Sequence, residues 1–486
     1  MQSSSLVFSV LMLFFQATAV SVLEPWEKDP WYWSYGNKPV LLLGASDDDN
    51  LFQWHEEALL TQLDKLAAAG GNVIRNTMSD RKDKGFEIYP FKMLSNGKYD
   101  LNVWNDEYWM RLERLLRETS RRRIFVQIEI WDRFDYSDLD DTNRWQIHPY
   151  NPENNVNYTV DQSGLNTHYR DHPGANTQPF FFTTPEQRNN HCVLSYQQKF
   201  VTQLMEVSLP FSHVLYCMDN ETSGEKEWSN YWARFVKSHA DRKKRKVYLT
   251  EMWDEWDLTA AQHRQTFDHP DLFGFVDVSQ NNHNSGDEHW DNFLHVRNRL
   301  AIQPRPMNTT KTYGASGNKF GHTDQDAIER FWRHLLAGAA SIRFHRPPSG
   351  LGLSDQAIRC IRAARTLETI VPLWELKPAT ELLSDRDSNE AYLAVSRGSS
   401  YVVYFPAGGR VGLDVSGSKG PFDLNWINIE TGQSSDPERV VDCDEITLSP
   451  PSKGNWVVAV VQSVRQQIKY SCGTAVTAFQ NDHLAQ

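Results

Sequence analysis

Val214 to Met218 is a short apolar run that stops abruptly on the polar series Asp219-Asn220-Glu221-Thr222-Ser223. That pattern reads as a buried parallel strand whose carboxyl end delivers Glu221 into a loop. A strand-end acid on its own can simply cap the next helix, so the weight falls on what the other apolar runs end in. Glu129 and Asp132 follow one run, Glu251 and Asp254 another, Lys311 and Tyr313 a third; Asp47, Arg75, Asn76, Gln280, His283, Arg343 and His345 stand at comparable places. Two carboxylates set face to face among such groups can cleave a glycosidic bond, one protonating the leaving oxygen and the other acting as nucleophile or base. Glu221 is the expected proton donor, its pKa raised by burial beside Trp131 and Trp253. Glu251 or Glu129 is the expected second carboxylate, with Asp47 and Asp277 behind them. Asn220, one residue ahead of the acid, is placed to hydrogen-bond the sugar hydroxyl next to the reacting carbon.

The remaining expected substrate contacts are Asp47, Trp54, Arg75, Trp131, Trp253, His283, Lys311, Tyr313 and His345. The four aromatic residues of that set lie beside polar clusters, where the flat face of a sugar can stack. Asp47-Asp48-Asp49 fits substrate hydrogen bonding or helix capping better than metal binding, and no metal or cofactor is expected. His55-Glu56-Glu57-Ala58-Leu59 lacks the second histidine of a metalloprotease helix. His283 and His289 match no standard zinc spacing, and no serine-nucleophile elbow or phosphate loop stands in a strand-to-helix context.

Side chains so far apart in sequence need a scaffold that gathers strand ends. Strands are predicted at Pro39 to Leu43, Asn72 to Asn76, Arg123 to Ile130, Val214 to Met218, Lys246 to Thr250, Leu272 to Val278, Arg305 to Thr309 and Ser341 to Phe344. Helical spacing alternates with them, as in His55 to Ala69, Asp106 to Arg122 and Asp355 to Ile370, giving eight strands and eight helices. That alternation is the period of a (β/α)₈ TIM barrel, an α/β fold with catalytic groups at the carboxyl ends of its strands. Phe134 to Asn190 is a long segment without period, of the kind that builds or covers a site. From Thr380 onward short alternating strands between Gly, Ser and Asp turns predict an antiparallel β-sandwich. The expected division is a leader over 1–19, a barrel over 26–376, a sandwich over 377–465, and a tail over 466–486 with little periodicity, the pattern of a disordered end.

The Asn220-Glu221 pair at the fourth strand end resembles the large superfamily of barrel glycosidases. More narrowly the chain is similar to the apiosidase-like family of glycoside hydrolases. The residues behind that resemblance are Leu42-Leu43-Gly44-Ala45 leading to Trp54, Gly71-Asn72-Val73-Ile74-Arg75, Asn220-Glu221, and His334-Leu335-Leu336-Ala337-Gly338-Ala339. The trailing sandwich looks like the collagen-binding type of domain that often follows such barrels. The resemblance implies a nucleophilic Glu at the end of the seventh strand, where this chain carries Lys311 in Pro306-Met307-Asn308-Thr309-Thr310-Lys311-Thr312-Tyr313. A lysine forms no glycosyl ester, so either another acid serves or the barrel has become a carbohydrate-binding protein without turnover. A glycoside hydrolase acting on a polysaccharide or oligosaccharide is the first expectation.

Leu6 to Phe15 is an apolar core followed by Ala17-Thr18-Ala19, the spacing of a secretory signal cleaved after Ala19. A secreted or periplasmic protein, with no membrane attachment after cleavage, is expected. The net charge of -12 works against nucleic acid as a partner. Five scattered cysteines are too few for a disulfide scaffold, Cys443 with Cys472 being the one pairing to consider.

Overall fold

The computed structural model describes residues 21–80, 82, 84–396, 400–418, 420–441 and 444–463. The expected leader, the tail and the Cys443–Cys472 pairing lie outside those residues. Eight buried strands form one parallel sheet: β1 Leu42–Ala45, β2 Val73–Thr77, β3 Phe125–Asp132, β4 Val214–Asn220, β5 Leu249–Thr250, β6 Val276–Asp277, β7 Met307–Thr312 and β8 Ser341–Phe344. Their order is 5-4-3-2-1-8-7-6, so chain neighbours are sheet neighbours and the last strand returns to the first. Between β5 and β6 the ring is joined through a side chain, the Asp277 amide donating to Thr250 Oγ1 at 3.1 Å. This is the (β/α)₈ barrel that the sequence period predicts.

The strands close tightly where β1 meets β2. Gly44 sits there because a Cβ at its position would lie 1.9 Å from the Val73 carbonyl oxygen, a close backbone approach that admits no side chain. Helices α1 Glu56–Ala68, α2 Asp106–Arg121, α3 His191–Ser208, α4 Lys226–Arg242, α5 Gly286–Arg299, α6 Asp324–Ala337 and α7 Asp355–Ile370 cover the outside. Each turns one apolar stripe to the sheet, as Leu112, Leu115 and Leu116 do on α2. The eighth expected helix is reduced to the single turn Arg264–Phe267. Local polar bonds replace it: Asp257 Oδ1 accepts from the Thr259 amide at 2.8 Å, and the His263 ring reaches the Glu255 carbonyl at 2.8 Å. Such side-chain bonds compete with helix formation, and they leave Glu255 and Trp256 at the barrel mouth.

An amino-terminal three-stranded sheet, Leu23–Pro25, Trp33–Tyr35 and Lys38–Val40, seals the opposite end of the barrel. Trp33 lies edge-on to Tyr248 and Phe275 at 5.5 Å, and its Nε1 donates to Asn308 Oδ1 at 3.0 Å. The C-terminal region is antiparallel, a six-stranded sheet including Tyr392–Ser396, Ser400–Phe405, Phe422–Asn428 and Trp456–Gln462 packed on a three-stranded one. Leu393, Val403, Leu413, Ile446 and Val458 form the core between them. The alternate residues Tyr392, Val402, Tyr404 and Val457 face the barrel and join its core. Trp332 of α6 stacks on Tyr404 at 5.8 Å, and Gln325 binds the Pro406 carbonyl at 3.0 Å.

Gly44→Ala forces β1 away from β2 and is expected to cost about 1–3 kcal/mol, the range for overpacking a filled core. A thermal denaturation midpoint equal to that of the wild type would contradict the close approach.

Candidate active site

The carboxyl ends of the strands open into a cavity of about 780 Å³. Its floor begins at Asp49, just past β1. This buried carboxylate receives Arg75 from β2 at 3.0 Å, Arg343 from β8 at 3.0 Å and Arg346 at 2.8 Å. Burial alone would raise its pKa; Arg75, His345, Arg343 and Arg346 together overcome that and hold it well below the usual carboxylate range. Arg75 also grips Glu129 on β3 with two bonds of 2.7 Å, the forked geometry that suits a guanidinium to a carboxylate. The neighbouring acids are equally committed. Asp47 Oδ1 accepts from the Leu353 amide at 2.7 Å, and Asp48 accepts from Trp54 Nε1 at 2.9 Å and pairs with Lys84.

Across the floor, Lys311 of β7 reaches Glu221, one residue beyond β4. Its Nζ stands 2.5 Å from Glu221 Oε1 and donates to Asn220 Oδ1 at 2.6 Å. Gln280 Nε2 and Tyr313 OH donate to the same Oε1 at 3.0 and 3.2 Å, so the bonds to this carboxylate among the described residues gather on Oε1 rather than Oε2. Burial works to raise the Glu221 pKa, but Lys311 and Gln280 prevail, and the group is held far below the ordinary glutamate value. Glu221 adopts φ 51°, a left-handed conformation that costs a non-glycine residue about 1–3 kcal/mol. The backbone just after it is fixed: the Thr222 amide donates to the Met252 carbonyl at 2.8 Å, and the Asp254 amide to the Thr222 carbonyl at 2.9 Å.

That pairing carries Asp254 into the same cavity, beside Glu255 and Trp256. Burial raises the Asp254 pKa, and the fixed negative charge of Glu221 raises it further. His283, Tyr313 and Phe320 continue the wall. His283 is kept neutral by desolvation, its pKa lowered to about 4. The opposite rim comes from the segment without period, through Phe134, Leu139, Asp140, Thr142, Arg144 and His172. It folds on side-chain-to-backbone bonds rather than on a repeating pattern; Asn155 Nδ2 alone binds the Pro149 and Asn151 carbonyls at 3.1 and 3.0 Å.

Of the residues expected at the site, Asn220, Glu221, Arg75, His283, Lys311, Tyr313 and His345 line the cavity. The others do not. Glu251 is buried beneath the mouth, where its Oε1 accepts from the Asp219 and Met252 amides, each at 2.9 Å. Burial, and then the nearby Asp219, hold its pKa well above the ordinary value. Glu129 lies behind Arg75. Trp131 packs among Phe200, Trp228 and Trp232, Trp253 is buried with Nε1 donating to Thr266 Oγ1 at 2.7 Å, and Trp54 and Asp47 are held outside by the bonds above. The expected raised pKa of Glu221 is likewise reversed, because a lysine neighbour outweighs burial. Asp254 stands among the strand-end acids in the sequence, yet nothing in its neighbours marks it above Glu251. Trp256 and Phe320 have no strand or helix period to reveal them.

No protein-family model matches the chain, and no curated protein matches it. Solved structures do. One described as a glycoside hydrolase matches with a TM-score of 0.61 at 13% identity, over 91% of this chain and 97% of that one. A glycoside hydrolase family 5 structure from Bacteroides vulgatus ATCC 8482 matches with a TM-score of 0.58 at 14% identity, over 91% of this chain and 94% of that one. The shared property is the fold, extending through barrel and sandwich.

Lys311→Met strands a buried carboxylate and is expected to cost about 3 kcal/mol at neutral pH. A depressed carboxylate pKa contributes stability above the unfolded value and loses it as pH falls, so the deficit should shrink in acid. A deficit independent of pH in chemical denaturation would refute the ion pair's role. Glu251→Gln should behave differently, since a neutral amide imitates a protonated acid. Because a raised pKa makes stability decline as pH rises above the unfolded glutamate value, the variant should lose less stability than wild type between about pH 5 and 8. Parallel thermal melts across that range test it.

Proposed function

We propose that this protein is an exported glycoside hydrolase that takes a carbohydrate into the cavity and cleaves it with Glu221 and Asp254. One observation carries the reading: a carboxylate held ionised and a carboxylate disposed to keep its proton line the same cavity at adjacent strand ends. Paired carboxyl groups whose pKa values are pushed apart are the equipment of acid and base roles. Asp254 is the proton donor to the leaving oxygen. Glu221 accepts a proton from the attacking water through Oε2 and faces the positive charge that develops at the anomeric carbon. Asn220 and Lys311 hold Glu221 and meet the adjacent sugar hydroxyl, while Arg75 and His345 bound the floor. The neighbouring glycoside hydrolase structures support the general class through the fold. The finer reading as an apiosidase-like hydrolase, with a collagen-binding type of trailing domain that braces the barrel, rests on the Asn220-Glu221 pair and the motifs around it. Export rests on Leu6 to Phe15 and Ala17-Thr18-Ala19.

The ion pair of Lys311 with Glu221 favours a second reading, a barrel that binds sugar without turnover. Hydrolysis assays on plant and microbial oligosaccharides, with binding measured alongside, separate the two. Asp254→Asn should lower kcat by about 10²- to 10⁴-fold on substrates whose leaving group needs a proton. An activated aryl glycoside should recover most of that loss. Glu221→Gln should show no such recovery. Wild-type activity should fall as pH rises through the Asp254 pKa, because the donor is then lost. Saturable binding with no product from any substrate would establish the second reading instead.

A further inference from the structure

We infer that Trp256 and Phe320 form a stacking site for a sugar unit beyond the cleaved bond, so that the substrate is an oligosaccharide or polysaccharide extended on its leaving-group side. The inference rests on the hydrolase reading, since Asp254 marks which side the leaving group takes. Trp256 is the only tryptophan among the described residues that is predominantly exposed, at 55%, and Phe320 is exposed at 37%. Both line the cavity. An indole left open to water beside a polar cavity, while the other tryptophans are sheltered, marks a surface kept for a ligand. Its chemistry follows from the ring, since a flat apolar face bordered by hydrogen-bonding groups suits the axial C–H face of a pyranose. Glu255 and Lys319, both at the cavity, supply those groups.

The wall is built rather than incidental. His283 stacks against Trp256 at 4.2 Å and 22°, and meets Phe320 edge-on at 5.1 Å. Tyr313, which binds Glu221, stacks with Phe320 at 5.4 Å and meets His283 edge-on at 5.5 Å. The loops beneath are pinned by buried Arg330, which donates to the Asn284 carbonyl at 2.9 Å and the Tyr313 carbonyl at 3.1 Å; Asn284 in turn donates to the Trp256 carbonyl at 3.1 Å. The exposed rings are therefore held in place before a ligand arrives. Trp256 also follows the proposed donor by two residues. A proton from Asp254 goes to the oxygen joining the two sugars, which sets the ring bound at Trp256 on the departing side.

The test uses the full-length Asp254→Asn protein, which slows cleavage and leaves the Lys311–Glu221 pair intact, with cello-, manno-, xylo- and arabino-oligosaccharides of one to six units as probes. Affinity for the accepted series should rise about tenfold as the chain lengthens, with quenching of tryptophan fluorescence. Trp256→Ala in the same background should abolish that increase, and Trp256→Phe should restore most of it. Retention of the full length dependence in Trp256→Ala would overturn the stacking site and leave the hydrolase reading intact. No binding by any series, in a protein that melts as wild type does, would overturn both.

Discussion

A lysine and a glutamate carried by strands on different arcs of the barrel meet at 2.5 Å on its floor. Taking two such charges out of water costs several kcal/mol for each, and their attraction offsets this only with good geometry and further hydrogen bonds. The floor supplies them through Asn220, Gln280 and Tyr313. The consequences spread outward. Glu221 is fixed in its negative form, its backbone is held in a left-handed conformation, and its charge makes ionisation harder for Asp254. In the proposed hydrolase, proton donation therefore falls to the fifth strand end rather than the fourth.

Asp49 provides the counterpart on the other side of the cavity. Three guanidinium groups converge on it, from β2, from β8 and from the loop after β8. Arg75 belongs to this cluster and to the fork with Glu129, so β1, β2, β3 and β8 are tied together at their carboxyl ends by charge as well as by the sheet. A floor of fixed charges that need not rearrange during reaction is the arrangement that stabilises a developing charge best. Two conspicuous acids, Asp49 and Glu129, are committed to this cluster: their negative charge already holds the barrel mouth together.

The loops divide the remaining work. The segment after β3 folds on asparagine and aspartate side chains and closes one rim, whereas the short crossover after β5 leaves Trp256 standing at the other. The sandwich contributes from behind, its alternate residues completing the barrel core under α6. Trp332 on Tyr404 and the bonds of Gln325 fix that seam. The helix that carries Trp332 also carries Arg330, which pins the aromatic wall, so the brace and the cavity share one element.

Periodicity alone determined the fold, because an apolar strand followed by an amphipathic helix has few ways to bury both, and eight repeats of it close on themselves. The strand ends were equally legible: Asn220, Glu221, Lys311, Tyr313, Arg75, His283 and His345 reach the cavity because barrel topology places every such end at one mouth. The resemblance to barrel glycosidases, and not the pattern itself, singled out Lys311 as standing where a glutamate is expected. Sequence could not choose among the acids, since Glu251 and Asp254 lie three residues apart and which of them enters the cavity depends on how the backbone pairs with the Thr222 turn. Nor could it fix the sign of the Glu221 shift, which is the difference between burial and a lysine that lies 90 residues further along the chain. Those outcomes belong to tertiary structure, because an electrostatic energy is set by distance and dielectric, and neither exists until the strands have converged.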